Sequence, residues 1–207
     1  MTRPNPTLDL TDRPFSVHFS KQDSPDRREL ERFISDIFRQ EHGTEIKRFK
    51  PYLMSLRGHD DNLIAACGLH SAVINRLFLE HYLDQPIEAA LSTLTGSAIK
   101  RNNIVEIGNF SVAKLDMTRY LITAINDQLH FTSKQWAVLT AIPALCDLLL
   151  ELGVSFEVIA DADSGRLPSE ERMEWGNYFE LQPRVIAIQR IERRSKPRLA
   201  DPGSSSP

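Results

Sequence analysis

Two cysteines are all that the 207 residues contain, and their spacing fits neither a disulfide framework nor a thiolate metal site. Cys67 sits in Leu63-Ile64-Ala65-Ala66-Cys67-Gly68-Leu69 and Cys146 in Ile142-Pro143-Ala144-Leu145-Cys146. Both read as small apolar core residues rather than as nucleophiles. Glycine is sparse too, with nine residues. No phosphate-cradling P-loop or dinucleotide fingerprint is present, and no Gly-x-Ser-x-Gly turn presents a serine. Direct group transfer, without a covalent enzyme intermediate, therefore fits best.

No apolar run approaches the roughly 18 residues of a membrane-spanning helix. The start, Met1-Thr2-Arg3-Pro4-Asn5-Pro6, lacks the apolar core of a secretory signal. No integral membrane segment is expected, and the cytoplasm is the default compartment. Charge of neither sign dominates: 25 basic and 28 acidic residues, net −3, are spread along the chain. That leaves no general attraction to polyanions, so nucleic acid is not an expected partner. Metal-ligand spacing is missing as well, because Glu80, His81 and Asp84 have no second close histidine. Neither a metal nor a tightly bound cofactor is expected.

What is present is a core-forming pattern. With 41% hydrophobic residues, the chain reads as one domain over residues 15–192 between flexible polar segments at 1–14 and 193–207. Phe15 to Phe19 alternates like a strand. A helix follows from Ser24-Pro25-Asp26 to Gly43, with Leu30, Phe33, Ile34, Ile37 and Phe38 at helical spacing. Tyr52–Leu56 and Leu63–Leu69 form a hairpin about a polar turn. Arg76 to Leu94 reads as helical, with a second helix start at Pro86, and Ile104–Val112 as a long strand. Asp116 caps a helix carrying Tyr120, Leu121, Ala124, Ile125 and Leu129. An apolar strand at Trp136–Thr140, a helix at Ala144–Leu152 and strand material at Phe156–Ala160, Tyr178–Leu181 and Val185–Ile188 complete the chain. The strand-helix units in the middle imply parallel strands, while the hairpin and the final strands imply antiparallel edges. The expected fold is α/β, a mixed twisted sheet with helices on both faces.

Several side chains invite chemistry. Glu106 is a carboxylate in an apolar strand, so it is either a cleft acid fit for general-base work or a solvent-facing residue of a half-exposed strand. Counting by twos puts Glu106, Gly108, Phe110 and Val112 on one face, with Val105, Ile107, Asn109 and Ser111 on the other. Glu80, Asp84 and Glu88 gather at helical spacing, where they either hold an amine acceptor or form an ordinary charged face. Trp175 and Tyr178 are packing aromatics or cleft groups, and His70, just past the hairpin strand, either faces the cleft or has no role.

Four separated segments resemble the thermostable hemolysin family over roughly residues 15–190. They are Ala66-Cys67-Gly68-Leu69, the run from Leu77 to Glu88, Ile104 to Phe110, and Trp175-Gly176-Asn177-Tyr178. More distantly, Glu106 followed by Phe110-Ser111-Val112, a helix, a strand ending in Thr140 and a helix ending in Leu152-Gly153 is similar to acyl-homoserine-lactone synthases. Those enzymes have the N-acetyltransferase (GNAT) fold. The resemblance implies a GNAT-like, mostly antiparallel sheet with a central splayed parallel pair. It also implies an acyltransferase that moves an acyl group from acyl carrier protein or a coenzyme A thioester to a small amine or hydroxyl acceptor.

On that resemblance, donor pantetheine lies along Ile107, Gly108, Asn109, Phe110 and Ser111, and Gly108 permits a bulge or a close backbone approach. Glu106 takes the acceptor's proton, Tyr178 protonates the departing sulfur, and Glu80, Asp84, His70 and Trp175 receive the acceptor. Lactone synthases carry an Arg where this chain has Asn109, so their acceptor is not carried over. No glycine occurs between Phe110 and Lys134, where a pyrophosphate nest would sit. This favours a carrier-protein donor, whose single phosphodiester Lys114 and Arg119, with Lys100 and Arg101, could meet. Two other readings stay open: a membrane-perturbing protein, as the family name suggests, and a non-catalytic ligand-binding module.

Overall fold

The structure, a computed structural model, describes residues 14–44 and 46–190. The segments 1–14 and 193–207, expected to be flexible, lie outside these residues, Pro14 excepted.

Strand β1 (Ser16–Ser20) leads into helix α1 (Arg27–His42). Leu30, Ile34 and Phe38 recur every fourth residue along α1 and are buried as one stripe. Gly43 ends the helix at φ 65°, a left-handed conformation that lets its N–H reach the Arg39 carbonyl at 3.1 Å. Strands β2 (Tyr52–Arg57) and β3 (Leu63–Ser71) form the expected hairpin. Then come α2 (Ile87–Thr95), β4 (Ile104–Val112), α3 (Thr118–Phe131) and β5 (Trp136–Ala141). The described residues close with α4 (Pro143–Glu151), β6 (Glu157–Asp161), α5 (Ser169–Met173) and β7 (Arg184–Gln189).

The strands form one sheet in the order β1-β2-β3-β4-β5-β7-β6. Its parallel neighbours are β4 and β5, joined through α3, and the other pairings are antiparallel. The sheet is thus the expected mixed, mostly antiparallel one. The second strand-helix unit turns out differently: β7 inserts between β5 and β6, so those two strands never pair.

The central strands β4 and β5 are buried on both faces, as the nearly continuous apolar sequence of β5 requires. Val105, Ile107, Ala137 and Leu139 cluster with Leu121, Ala124 and Leu129 of α3 and with Cys146 and Leu149 of α4. Ile104, Val138, Val185 and Ala187 cluster with Leu77, Leu79 and Tyr82 and with Ile87 and Leu91 of α2. The α1 stripe meets Leu53 and Ala66. Both cysteines are free and buried, as their apolar settings implied.

Three local expectations give way. Arg76 to Leu94 is not one helical stretch: Phe78–Tyr82 is a 3-10 turn, Leu83 is extended, and α2 starts after Pro86. Proline disfavours a helical conformation in the residue before it, which breaks the run. Asp116 does not cap α3, because Leu115–Met117 forms a 3-10 turn and Met117 occupies the cap position without a side-chain bond. Tyr178–Leu181 is a 3-10 turn rather than a strand, ended by Gln182 at φ 52°. Its aromatic rings pack on Trp175, with Tyr178 at 5.2 Å and Phe179 at 6.1 Å.

Candidate active site

Strands β4 and β5 pair from Ile104 opposite Trp136 to Ile107 opposite Leu139, and there the pairing ends although both strands continue. The cause lies on the other side of β4. Opposite β3 the register slips between Ala66 and Gly68, so that Cys67 faces both Asn109 and Phe110. Asn109 takes φ 50° to make this bulge. Bulging bends β4 away from β5 and opens a cleft of about 790 Å³, lined by Gly108, Asn109, Phe110, Leu139 and Thr140 among others. It also inverts the alternation: Phe110 and Val112 pack with the cluster of Val105 and Ile107, not on the face of Glu106.

The Asn109 side chain locks this geometry. Its Oδ1 accepts the Lys50 N–H at 2.9 Å and its Nδ2 donates to the Arg48 carbonyl at 3.1 Å. Lys50 then extends over two facing glycines, Gly68 and Gly108, which are cross-strand partners. A Cβ on Gly68 would come within 2.6 Å of the Lys50 Cβ, and one on Gly108 within 2.5 Å of its Cε. The pair of glycines is therefore a trough for the lysine stem, and close approach is what Gly108 provides while Asn109 makes the bulge.

At the end of that trough sits Glu106, 3% exposed. Lys50 Nζ lies 2.5 Å from Glu106 Oε2 and 5.6 Å from the Phe78 ring centre. The Phe78 N–H donates to Oε2 at 3.2 Å and the Leu79 N–H to Oε1 at 3.0 Å. The first turn after Leu77 thus presents two backbone donors to one carboxylate. Burial pushes the Glu106 carboxyl up, but the Lys50 charge, His70, the Lys50 hydrogen bond and the Leu79 N–H together hold it below the usual carboxylate value.

His70 is the cross-strand partner of Glu106. It is buried, with Nδ1 3.7 Å from Glu106 Oε2, and among the described residues Nε2 has no hydrogen-bond partner. On the far wall Tyr178, also buried, donates its hydroxyl to the Thr140 carbonyl at 3.1 Å, where β5 has parted from β4. Burial pushes its phenol up, so it carries its proton at neutral pH. Trp175 lines the same cleft and stacks 5.5 Å from Phe78.

The residues singled out from sequence divide into two groups. Glu106, Ile107, Gly108, Asn109, Phe110, Lys114, His70, Trp175 and Tyr178 all line this cleft. Ser111 does not: it is buried, and its hydroxyl donates to the Asn109 carbonyl at 3.3 Å. Arg119 is exposed and lies over the Tyr120 ring at 5.0 Å. Glu80 and Asp84 line a separate cavity of about 400 Å³. There Arg101 binds Glu80 at 2.7 Å and Glu88 at 2.6 Å, which also takes Arg101 out of any phosphate site. Asp84 pairs instead with Arg166. The helical spacing that was to unite Glu80 with Asp84 is absent, because Glu80 belongs to a 3-10 turn and Asp84 to a bend that follows extended Leu83.

Lys50 escaped the sequence reading. Nothing in Arg48-Phe49-Lys50-Pro51 marks it, since its place depends on two glycines 40 residues apart coming into register. Two further histidines, His42 and His81, also line the cleft, and among the described residues each has an Nδ1 without a partner.

Among the described residues the sheet has one parallel pair, β4 and β5, and its parting over a cleft is the arrangement of the N-acetyltransferase class of fold. The chain belongs to the thermostable hemolysin family, whose model matches residues 20–193. Solved structures carry the same fold at low identity. The acyl-homoserine-lactone synthase LasI is 11% identical with a TM-score of 0.56, over 84% of this chain and 89% of that one. FeeM, an N-acyl amino acid synthase from uncultured soil microbes, is 11% identical with a TM-score of 0.51, over 84% and 90%. A protein from Lactobacillus plantarum assigned as an N-acetyltransferase is 14% identical with a TM-score of 0.52, over 86% and 100%. No curated protein matches the sequence.

Proposed function

We propose that the chain is a cytoplasmic acyltransferase, built as one domain over residues 15–192, that moves an acyl group from a carrier-protein or coenzyme A thioester to a small amine or hydroxyl acceptor. The observation that carries this reading is the parting of β4 from β5 beyond Ile107 and Leu139, directly over the cleft that holds Glu106, His70 and Tyr178. Backbone groups freed by such a parting are what an extended amide chain such as pantetheine pairs with. The thioester carbonyl then lies between the buried polar cluster on one side and the Tyr178 hydroxyl on the other. A backbone N–H of the parted strand stabilises the oxyanion, and Tyr178 protonates the leaving sulfur. His70 and Trp175 sit on the acceptor side.

Carrier protein is the favoured donor. The turn that follows β4 is a glycine-free 3-10 turn with Lys114 before it, which suits one phosphodiester better than a pyrophosphate. Matched decanoyl thioesters of acyl carrier protein and of coenzyme A, offered with a pool of amino acids and followed by thiol release, test both points. Faster turnover of the carrier-bound thioester is expected. Faster turnover of the coenzyme A thioester overturns the donor preference, and no turnover of either overturns the acyltransferase.

The reading also accounts for the family name. Joining a fatty acyl chain to a small polar acceptor makes an amphiphile, and amphiphiles lyse membranes.

A further inference from the structure

The polar cluster beside the parted strands contains two groups able to accept a proton, Glu106 and His70, and their surroundings differ. Glu106 already holds three donors. Its two oxygens take the Phe78 and Leu79 N–H groups and the Lys50 ammonium, and the Lys50 charge, with His70 and the Leu79 N–H, holds its proton affinity down despite burial. A carboxylate so engaged is a poor base. His70 has the opposite character. The residue is 7% exposed and lines the cleft, and among the described residues its Nε2 has no hydrogen-bond partner, a condition that buried polar atoms seldom show. Its other nitrogen, Nδ1, faces Glu106 Oε2 at 3.7 Å, so the carboxylate favours the tautomer with the proton on Nδ1 and the lone pair on Nε2.

We infer that His70 is the general base for the acceptor and that Glu106 is a positioning residue acting through it; the inference rests on the acyl-transfer reading above. The acceptor's N–H or O–H fills the vacant bond at Nε2. As its lone pair forms the new bond to the thioester carbonyl carbon, its proton passes to Nε2. The C–S bond then breaks with its electron pair on sulfur, and the sulfur takes the Tyr178 proton. Solvent carries the proton from His70 back to Tyr178, so the sum is acceptor plus thioester giving acylated acceptor plus thiol. Glu106 balances the imidazolium that forms in between. Glu106 on β4 faces His70 and Lys50, ahead of β2, pairs with that carboxylate, while His42, Arg76, His81 and Tyr178 line the same cleft.

His70→Gln and His70→Asn test the assignment in the full chain. Thiol release from decanoyl-acyl carrier protein is measured with an amino-acid pool and, separately, with hydroxylamine, which attacks without a base. With the pool, turnover is expected to fall by roughly 10²–10⁴-fold, while thermal midpoint and donor binding persist. Hydroxylamine turnover is expected to fall by less than about tenfold. The acid limb of the kcat/KM profile should vanish in His70→Gln, and added imidazole should restore part of the rate. Turnover near the unsubstituted level in a folded His70→Gln protein overturns the assignment, as does an acid limb that survives there and disappears in Glu106→Gln. If the unsubstituted protein consumes no thioester with either nucleophile, acyl transfer itself is wrong and the role of His70 falls with it.

Discussion

Lys50 is the residue on which the electrostatics of the cleft turn, and its position depends on what Gly68 and Gly108 lack. A methyl group at Gly68 meets Lys50 Cβ and Cγ at 2.6 Å and Asn109 Oδ1 at 2.7 Å, close to backbone on both counts. Gly68→Ala should therefore disturb the bulge itself. At Gly108 the clash is with Lys50 Cε, the far end of a flexible chain, so the side chain can swing aside. Gly108→Ala is expected to fold normally, lose the Lys50 contact with Glu106, and reproduce the phenotype of Lys50→Met. In both variants the main influence opposing burial at Glu106 is removed, so the carboxyl should protonate at higher pH than in the unsubstituted protein. Carbon-13 NMR of the Glu106 carboxyl across a pH series reads this directly. An unchanged titration in Lys50→Met would show that the backbone donors alone hold the charge.

At the scale of elements, Glu80 joins two pieces that share no continuous helix. Its carboxylate accepts the Leu77 N–H at 2.7 Å and the Ile87 N–H at 2.9 Å, so one buried side chain caps the 3-10 turn and the start of α2 together. Burial raises its pKa, but the Arg101 hydrogen bonds and these two N–H groups outweigh that and bring it down to about 2 from an ordinary 4.5. A carboxyl with a depressed folded-state value contributes stability that is complete above the unfolded value and is lost as pH falls through the folded one. The thermal midpoint should therefore drop between pH 4.5 and about 2, more steeply in the unsubstituted protein than in Glu80→Gln. Equal slopes in the two proteins would place the acid-sensitive contact elsewhere, with Glu106 the next candidate because its value is lowered as well.

The same elements show what a reader of the sequence can and cannot see. Ile104–Val112 was legible to its ends because apolar residues recur from Ile104 to Val112 and a glycine-free polar turn follows. The run from Arg76 to Leu94 was misread because apolar residues around Pro86 mimic a helical period while the chain turns tightly at Phe78–Tyr82. Glu106 was legible as an acid out of place. Its partners were not, since Lys50, His70 and the Phe78 N–H reach it only through strand register and a bulge at Asn109. A one-residue slip of that kind leaves no trace in composition, yet it decided which face Phe110 and Val112 would occupy.

For the molecule as a whole, the open matter is how an acyltransferase fold comes to carry a hemolysin's name. Among the described residues no helix is long and apolar enough to cross a membrane. The sheet is lined on both faces, and the cleft beside its parted strands ends on a buried Lys–Glu–His cluster. If lysis is the work of an acylated product, it must require substrates and outlast the protein. Vesicles of phosphatidylcholine and phosphatidylglycerol loaded with dye should stay intact with the purified chain alone. They should leak once decanoyl-acyl carrier protein and an amino-acid pool are added, at a rate that follows thiol release. A protein-free filtrate of that reaction should lyse fresh vesicles, and the filtrate from His70→Gln should do so far less. Prompt leakage by the chain without substrates, equal in His70→Gln, would instead mean that the protein acts on the bilayer itself.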